Sequence, residues 1–239
     1  MADIATLQHM IDESSRIVFF GGAGVSTESG IPDFRSQDGL YHMQYAYPPE
    51  TILSHTFFVK NTEEFYRFYR DKMLPLEAQP NPAHLKLAEL EQAGKHITIV
   101  TQNIDGLHTK AGSQHVYELH GSIWRNHCLR CAKAFTPQYI RDSQGIPICT
   151  CGGRIKPDVV LYEEGLDDDV LYGAVEAIAS ADLLIVAGTS LTVYPAAGLL
   201  RYFKGQHLVL INRDVTPMDG KAELVIRDPV GQVLGEIGV

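Results

Sequence analysis

One short stretch does most to limit the folds open to this chain: the apolar run Ile17, Val18, Phe19 and Phe20 breaks at once into Gly21, Gly22, Ala23 and Gly24. Four consecutive β-branched or aromatic residues have the length and character of a strand buried on both faces, the habit of parallel sheets. Glycines directly after such a strand let the backbone approach a pyrophosphate closely, because no Cβ intervenes. The full dinucleotide fingerprint has a third glycine, and here Thr27 stands at its place. Taken alone, the same residues also read as a tight strand-to-helix turn without a ligand.

The rest of the chain repeats the theme. Short apolar runs at 97–100, 116–119, 183–187, 208–211 and 224–226 read as buried or half-buried strands. Between them lie helical patterns. Ile4, Leu7 and Ile11 share one face; Val170, Leu171, Ala174 and Ile178 share another behind the acidic turn 167–169; a third helix begins at Asn81-Pro82 and stops at Gly94. The alternation predicts an α/β fold, a Rossmann-like doubly wound parallel sheet, and such sheets bind ligands beyond the carboxyl ends of their strands. Three polar motifs sit at those ends: GGAG after Phe20, TQNIDG after Val100 and GTS after Ala187.

Two segments break the alternation and predict a smaller lobe. No strand is evident from Ser36 to Asn81, where Asn61 and Glu64 read as a capping box opening a helix that carries Phe65, Phe68 and Tyr69. The other segment, 125–153, holds every cysteine: Cys128, Cys131, Cys149 and Cys151, a C-x2-C and a C-x-C pair separated by 17 residues. In a reducing compartment two disulfides are disfavoured, and a redox pair needs no second pair of thiols. One tetrahedral Zn²⁺ explains all four, with no coordination position left for catalysis, so the metal is expected to be structural. His127 could replace one sulfur, although four already suffice. The expected division is a Rossmann-like domain of 1–36, 82–124 and 154–239, with a helical module at 37–81 and a zinc-ribbon module at 125–153 forming the small lobe.

Length and charge exclude some classes. A chain of 239 residues can bury a sizeable core. It contains no apolar run long enough to cross a bilayer, and the N-terminal MADIATLQHM lacks the regions of a signal peptide, so a cytoplasmic, membrane-free protein is expected. The net charge of −9, and the few scattered basic residues of the cysteine segment, argue against a nucleic-acid-binding module.

Taken in order and at their spacing, GAGVSTESGIPDFR, TQNIDGLH, ELHGS, the paired cysteines, GTSLTVYPAAGL and IN resemble the sirtuin signature across nearly the whole chain. Sirtuins are NAD-dependent protein-lysine deacylases. The resemblance implies that Gly22, Ala23, Gly24, Ser26 and Thr27 belong to the loop around the NAD phosphates. It places Phe34 and Arg35 in the segment that closes over the nicotinamide ribose, where an apolar lid keeps water from hydrolysing NAD. Gln102, Asn103, Ile104 and Asp105 would line the nicotinamide pocket, Asp105 gripping the carboxamide. Gly188, Thr189 and Ser190 would meet phosphate and ribose, Asn212 the adenosine ribose, and Val230 the adenine. His120 falls at the catalytic histidine, with Asn103 as the second catalytic candidate.

In the family's reaction the acetyl-lysine oxygen attacks ribose C1′ as nicotinamide leaves, and a base then activates a ribose hydroxyl to attack the resulting imidate. Histidine suits that task because its ordinary pKa of about 6.5 leaves it largely neutral near pH 7. The products would be nicotinamide, free lysine and 2′-O-acetyl-ADP-ribose. Acetylated substrate is expected to bind as an extended strand beside 159–162, with Val160, Tyr162 and Val193 along the acyl-lysine channel. A mono-ADP-ribosyltransferase using the same pocket is the alternative, and simple NAD hydrolysis a third reading.

The chain departs from the family pattern in places. Cys149-Thr150-Cys151 is one residue shorter than the commonest second pair, and Glu163 replaces a usual glycine. Sirtuins that prefer succinyl-lysine carry tyrosine and arginine three apart on the helix that is FYRFYRDKM here. Counting from Tyr66, the third position is Tyr69, and Arg67 and Arg70 lie about 100° off that face, so deacetylation is expected to exceed desuccinylation.

Overall fold

A computed structural model describes residues 2–33 and 46–239. Phe34, Arg35 and the start of the expected helical module, 37–45, lie outside the described residues. The chain opens with α1 (Ala2–Glu13), β1 (Arg16–Gly21) and a 3₁₀ turn at Ala23–Ser29. A helical stretch follows, α2 (Pro49–Ile52), α3 (His55–Lys60) and α4 (Thr62–Lys72), then α5 (Pro82–Gln92), β2 (His96–Thr101), α6 (Leu107–Ala111) and β3 (Val116–Glu118). Next come β4 (Gly121–Cys128), β5 (Ala134–Phe135), α7 (Pro137–Asp142) and β6 (Ile155–Val159). The chain closes through α8 (Asp168–Ser180), β7 (Leu183–Ala187), β8 (His207–Ile211), β9 (Leu224–Ile226) and α9 (Val230–Gly235).

Six strands form one parallel sheet in the order β3-β2-β1-β7-β8-β9. Counted among themselves they follow the doubly wound order, whose direction of winding reverses between β1 and β7. Side chains alternate across the sheet. Ile17 and Phe19 join Leu7, Ile11, Leu87 and Val233 on one face, while Val18 and Phe20 join Ala174, Ile178 and Leu199 on the other. With helices on both faces, β7 is buried at every residue, which is why these strands read as unbroken apolar runs.

The helix starts show which local signals operate. Asp167 accepts from the Val170 N–H at the start of α8, and Asn81 forms a capping box with His84 at the start of α5. Asn61 makes no such cap, contrary to the sequence reading. Helix α3 turns directly into α4 through Asn61, and the Thr62 hydroxyl instead donates 2.7 Å back to the Phe58 carbonyl.

The smaller body has its own core. Phe57, Phe58, Phe65, Tyr66, Phe68 and Tyr69 from the helical stretch pack with Ile123, Ile140, Ile155, Val159 and Leu161. Its sheet, in the order β5-β4-β6, is antiparallel and takes in residues on both sides of the expected 125–153 limits, because β4 begins at Gly121 and pairs with β6 at 155–159. The extended segment expected at 159–162 is also altered: β6 ends at Val159, and Tyr162 makes an isolated parallel bridge to Ser54.

Candidate active site and metal centre

The loops after β1, β2 and β7 meet where the sheet reverses its winding. Each continues its neighbour's ladder: Gly22 N–H donates to Ala187 O (3.1 Å), Gln102 N–H to Gly21 O (2.9 Å) and Gly188 N–H to Ile211 O (3.1 Å). Gly24 N–H donates to Gly188 O at 2.8 Å. A Cβ on Gly22 would stand 2.8 Å from that carbonyl, and one on Gly24 would stand 2.7 Å from the Gly188 Cα. The Cβ-less faces of these two glycines are therefore filled by the neighbouring loop, and Gly188 itself, at φ 58°, needs a glycine. Beside them, Gln102 Nε2 donates to Thr189 Oγ1 (3.1 Å), and Ser190 and Thr192 join their hydroxyls at 2.8 Å. Thr27 turns its hydroxyl to Gly24 O at 3.0 Å.

A buried polar chain crosses the meeting point. Asn103 Nδ2 donates to Ser26 Oγ (3.0 Å), and Ser26 Oγ donates to Asp105 Oδ2 (2.7 Å). The other Asp105 oxygen accepts from Leu107 N–H at 2.9 Å, and Asn103 is held from behind by Thr101 Oγ1, which accepts its N–H at 3.0 Å. All three side chains are at most 8% exposed, so this polarity is concealed from solvent. Burial raises the Asp105 carboxyl above its ordinary range, against the pull of its Leu107 and Ser26 bonds. Buried polar groups at the carboxyl ends of parallel strands, beside glycine-lined loops, mark the place where doubly wound sheets bind their ligands.

His120 lies just past β3. Its Nδ1 is 3.0 Å from the Gln102 carbonyl, which can only accept, so Nδ1 carries the proton and Nε2 is left as the basic nitrogen. Burial lowers its pKa below the ordinary histidine value, with the Gln102 bond opposing. A neutral imidazole with a fixed tautomer has the form of a general base.

The remaining candidates are placed less uniformly. Asn212 follows β8, its Nδ2 donating to Asp214 O at 2.8 Å. Val230 is 5% exposed and packs in the core beside β1, so little of its side chain is open to a ligand. Ile104 lies against the small-body core, its carbonyl accepting from Ile123 N–H (3.0 Å). Tyr162 is 39% exposed and Val193 half-buried. The N–H groups of Val160, Leu161 and Tyr162 are already taken by His120 O, Glu164 Oε2 and Leu53 O, so this stretch offers a partner strand fewer donors than an open edge. Glu163 occupies φ 76° and its carboxylate accepts from Thr56 N–H at 2.9 Å. The sequence reading missed Thr101, which props Asn103, and Trp124, whose Nε1 donates to Asp105 O at 2.7 Å.

The four cysteines converge. Cys128 and Cys151 Sγ are 3.5 Å apart, Cys131 and Cys149 Sγ 3.7 Å, and all four sulfurs lie within 4.8 Å of one another. Sulfurs bound tetrahedrally at about 2.3 Å from one zinc stand ~3.8 Å apart, so the set fits the ion. His127 is not part of this cluster, standing instead opposite Ala134 and Lys156 in the β4 ladder.

Comparison with known proteins agrees with this geometry. The Sir2 family model matches residues 22–195. An NAD-dependent protein deacetylase of Clostridium acetobutylicum is 60% identical over 97% of this chain and 96% of its own, and one of Clostridium perfringens is 56% identical over 98% of each. Among solved structures, a Sir2 protein with a deacetylated p53 peptide and 3′-O-acetyl ADP ribose superposes with a TM-score of 0.90 at 38% identity, covering 97% of this chain and 96% of that one. A Sir2 complex with a p53 peptide and NAD+ gives 0.85 at 38% identity, covering 97% and 95%. With its glycine loops interlocked at the winding reversal, its histidine fixed beside them and its cysteines gathered, the chain belongs to the Sir2 family.

Proposed function

We propose that this protein is an NAD-dependent protein-lysine deacetylase, with His120 as the base. The observation that carries the assignment of roles is the bond from His120 to the Gln102 carbonyl, which sets a neutral imidazole against the loop that bears Asn103 and Asp105. Relatives across nearly the full chain are named NAD-dependent protein deacetylases.

NAD, when bound, supplies a ribose carbon that releases nicotinamide and hydroxyls that receive the acetyl group. The chain's part is positioning and proton transfer. Asp105, Asn103 and Ser26 hold the carboxamide end, and the interlocked loops bearing Ala23, Gly188, Thr189 and Ser190 receive the phosphates and ribose. Asn212 reaches the far ribose, and Val230 lies under the adenine end. For Phe34 and Arg35, outside the described residues, the sirtuin resemblance carries the role of excluding water from the reacting centre. Nε2 of His120 takes the proton from a ribose hydroxyl, and Nδ1 keeps its bond to Gln102 throughout. Acetyl-lysine enters between 160–162 and the loop at 191–194, past Val160, Tyr162 and Val193. The substrate is an acetylated protein segment bound extended, and its main chain pairs with the groups that the inner bonds of 160–162 leave available.

Zinc, held by Cys128, Cys131, Cys149 and Cys151, organises the smaller lobe and takes no chemical step. We read the chain as a dinucleotide-binding lobe and a smaller lobe built from the helical and zinc-ribbon modules. Among the described residues no helix is long and apolar enough to cross a membrane. Four thiols gathered as one metal-binding set suit a reducing, cytoplasmic compartment. Arg70 is committed to the carbonyls of Ile140 and Gly145 and to the Ser143 hydroxyl, and Arg67 pairs with Glu64, so neither is set to receive an acidic acyl group.

The test is mass spectrometry of matched acetyl- and succinyl-lysine peptides with and without NAD, beside His120→Ala. The expected result is NAD-dependent loss of acetyl, formation of acetyl-ADP-ribose, slower desuccinylation and an inert variant. Nicotinamide release without a change in peptide mass, or covalently attached ADP-ribose, would overturn deacetylation in favour of hydrolysis or ADP-ribosyl transfer.

A further inference from the structure

The register of β4 against β6 is interrupted next to the active site. Ser122 pairs with Asp158, but Asn126 pairs with Pro157, so Ile123, Trp124 and Arg125 are pushed out of the ladder as a bulge. Each bulged residue makes a contact. Ile123 N–H donates to Ile104 O at 3.0 Å, and Trp124 Nε1 donates to the next carbonyl, Asp105 O, at 2.7 Å. Arg125 reaches to both sides, to Glu118 Oε2 (2.7 Å) and Asp158 Oδ2 (3.0 Å), anchoring the bulge between β3 and β6. Two consecutive carbonyls of the 102–105 loop are thus gripped by two consecutive bulged residues.

The fit around the indole is close. Gly106 adopts φ 72°, and a Cβ there would stand 2.7 Å from Trp124 Cδ1 and Nε1. The Cδ1–Nε1 edge of the indole therefore abuts a glycine that no other residue could replace without displacing it. On the far side of the same peptide, the Asp105 carboxylate is fixed by Ser26 and Leu107. Asp105 is held by its side chain on one flank and by its carbonyl on the other.

We infer that Trp124 is a positioning residue for Asp105, setting the aim of its carboxylate into the nicotinamide pocket and thereby the enzyme's discrimination between NAD and ligands that lack nicotinamide. This rests on the reading of Asp105 as the carboxamide partner. The indole N–H supplies one neutral hydrogen bond, so its loss should change affinity on the order of fivefold. Trp124 is also the single tryptophan of the chain, so its emission reports this contact alone.

The experiment compares wild type, Trp124→Phe and Asp105→Asn by steady-state deacetylation and by calorimetric binding of ADP-ribose. Trp124→Phe keeps a ring on Gly106 and removes the donor; the site is 37% exposed, so the fold has room for the change. We expect Trp124→Phe to raise both the KM for NAD and the nicotinamide inhibition constant about fivefold. Its ADP-ribose affinity and peptide KM should stay at wild-type values. In wild type, the tryptophan emission should shift on adding nicotinamide in the presence of ADP-ribose. If Trp124→Phe weakens ADP-ribose as much as NAD, or changes neither constant, the positioning role is overturned. Nicotinamide inhibition that survives Asp105→Asn overturns the carboxamide reading and this inference with it; inhibition lost in Asp105→Asn but intact in Trp124→Phe overturns the inference alone.

Discussion

His120 gains its role from one backbone carbonyl. Gln102 O holds the proton on Nδ1, and burial holds the ring neutral to a lower pH than in a free histidine. A base whose pKa is depressed stays active further into acid, because protonation is what disables it. We therefore expect kcat with saturating NAD and peptide to fall with a single-proton slope whose midpoint lies below about 6.5, the ordinary histidine value. A profile between pH 5 and 8 measures it, and a midpoint at or above the ordinary value would contradict the burial argument. His120, Asn103 and Asp105 could be singled out in the sequence only through the order and spacing of the sirtuin-like motifs, since taken alone His120 is one of ten histidines and the other two are ordinary loop residues. The use made of the glycines was not legible there. Gly22 and Gly24 face the Gly188–Thr189 loop, a contact between positions more than 160 residues apart that no local pattern encodes.

At the level of elements, the parallel strands could be read directly, since burial on both faces leaves unbroken apolar runs such as 183–187. The strands of the small sheet could not. β6 does alternate, Ile155, Pro157 and Val159 inward against Lys156 and Asp158, but a proline in the middle of so short a run argues against a strand, and the period of β4 is interrupted by its bulge. Trp124 was missed for the same reason, as its function depends on a register shift between strands distant in sequence. The cysteine spacing, by contrast, announced the metal without any of the surrounding structure. Cys128 ends β4, the strand whose bulge grips the 102–105 loop, so metal loss should be felt at the active site. We expect one zinc per chain by elemental analysis. Cys131→Ser or a strong chelator should release it, expose 125–153 to limited proteolysis before the rest of the chain, and shift the Trp124 emission. A chelated protein with unchanged proteolysis would show that the ribbon holds its form without metal.

Across the whole molecule, acid stability should be governed by a histidine pair that the chemistry does not use. His84 and His108 meet at 4.6 Å between α5 and α6, and His108 packs on Phe19 of β1. His84 Nδ1 accepts from Asn81 N–H (3.2 Å), while its Nε2 and both His108 nitrogens have no hydrogen-bond partner among the described residues. Burial lowers the His84 pKa to about 4 and holds His108 well below the ordinary value, helped by the neighbouring His84. The unfolded chain binds protons on these rings from about pH 6.5 downward, and the folded chain refuses them, so stability rises with pH across that window and drains away as pH falls. The slope is at most about 1.4 kcal/mol per pH unit for each ring, which over one or two units is a large share of a typical stability of about 5–15 kcal/mol. Asp105 and Glu118, whose carboxyls burial raises, act in the opposite sense, while Glu164 and Asp219, whose carboxyls are lowered, lose their bonds only in stronger acid. A variant isolates the histidine contribution from theirs. His84→Gln keeps an acceptor for Asn81 N–H and removes the titration, so its urea-unfolding free energy should fall less steeply than wild type between pH 6.5 and 4.5, by roughly one proton's worth of slope. Parallel pH dependences in the two proteins would show that burial does not hold His84 neutral in this window.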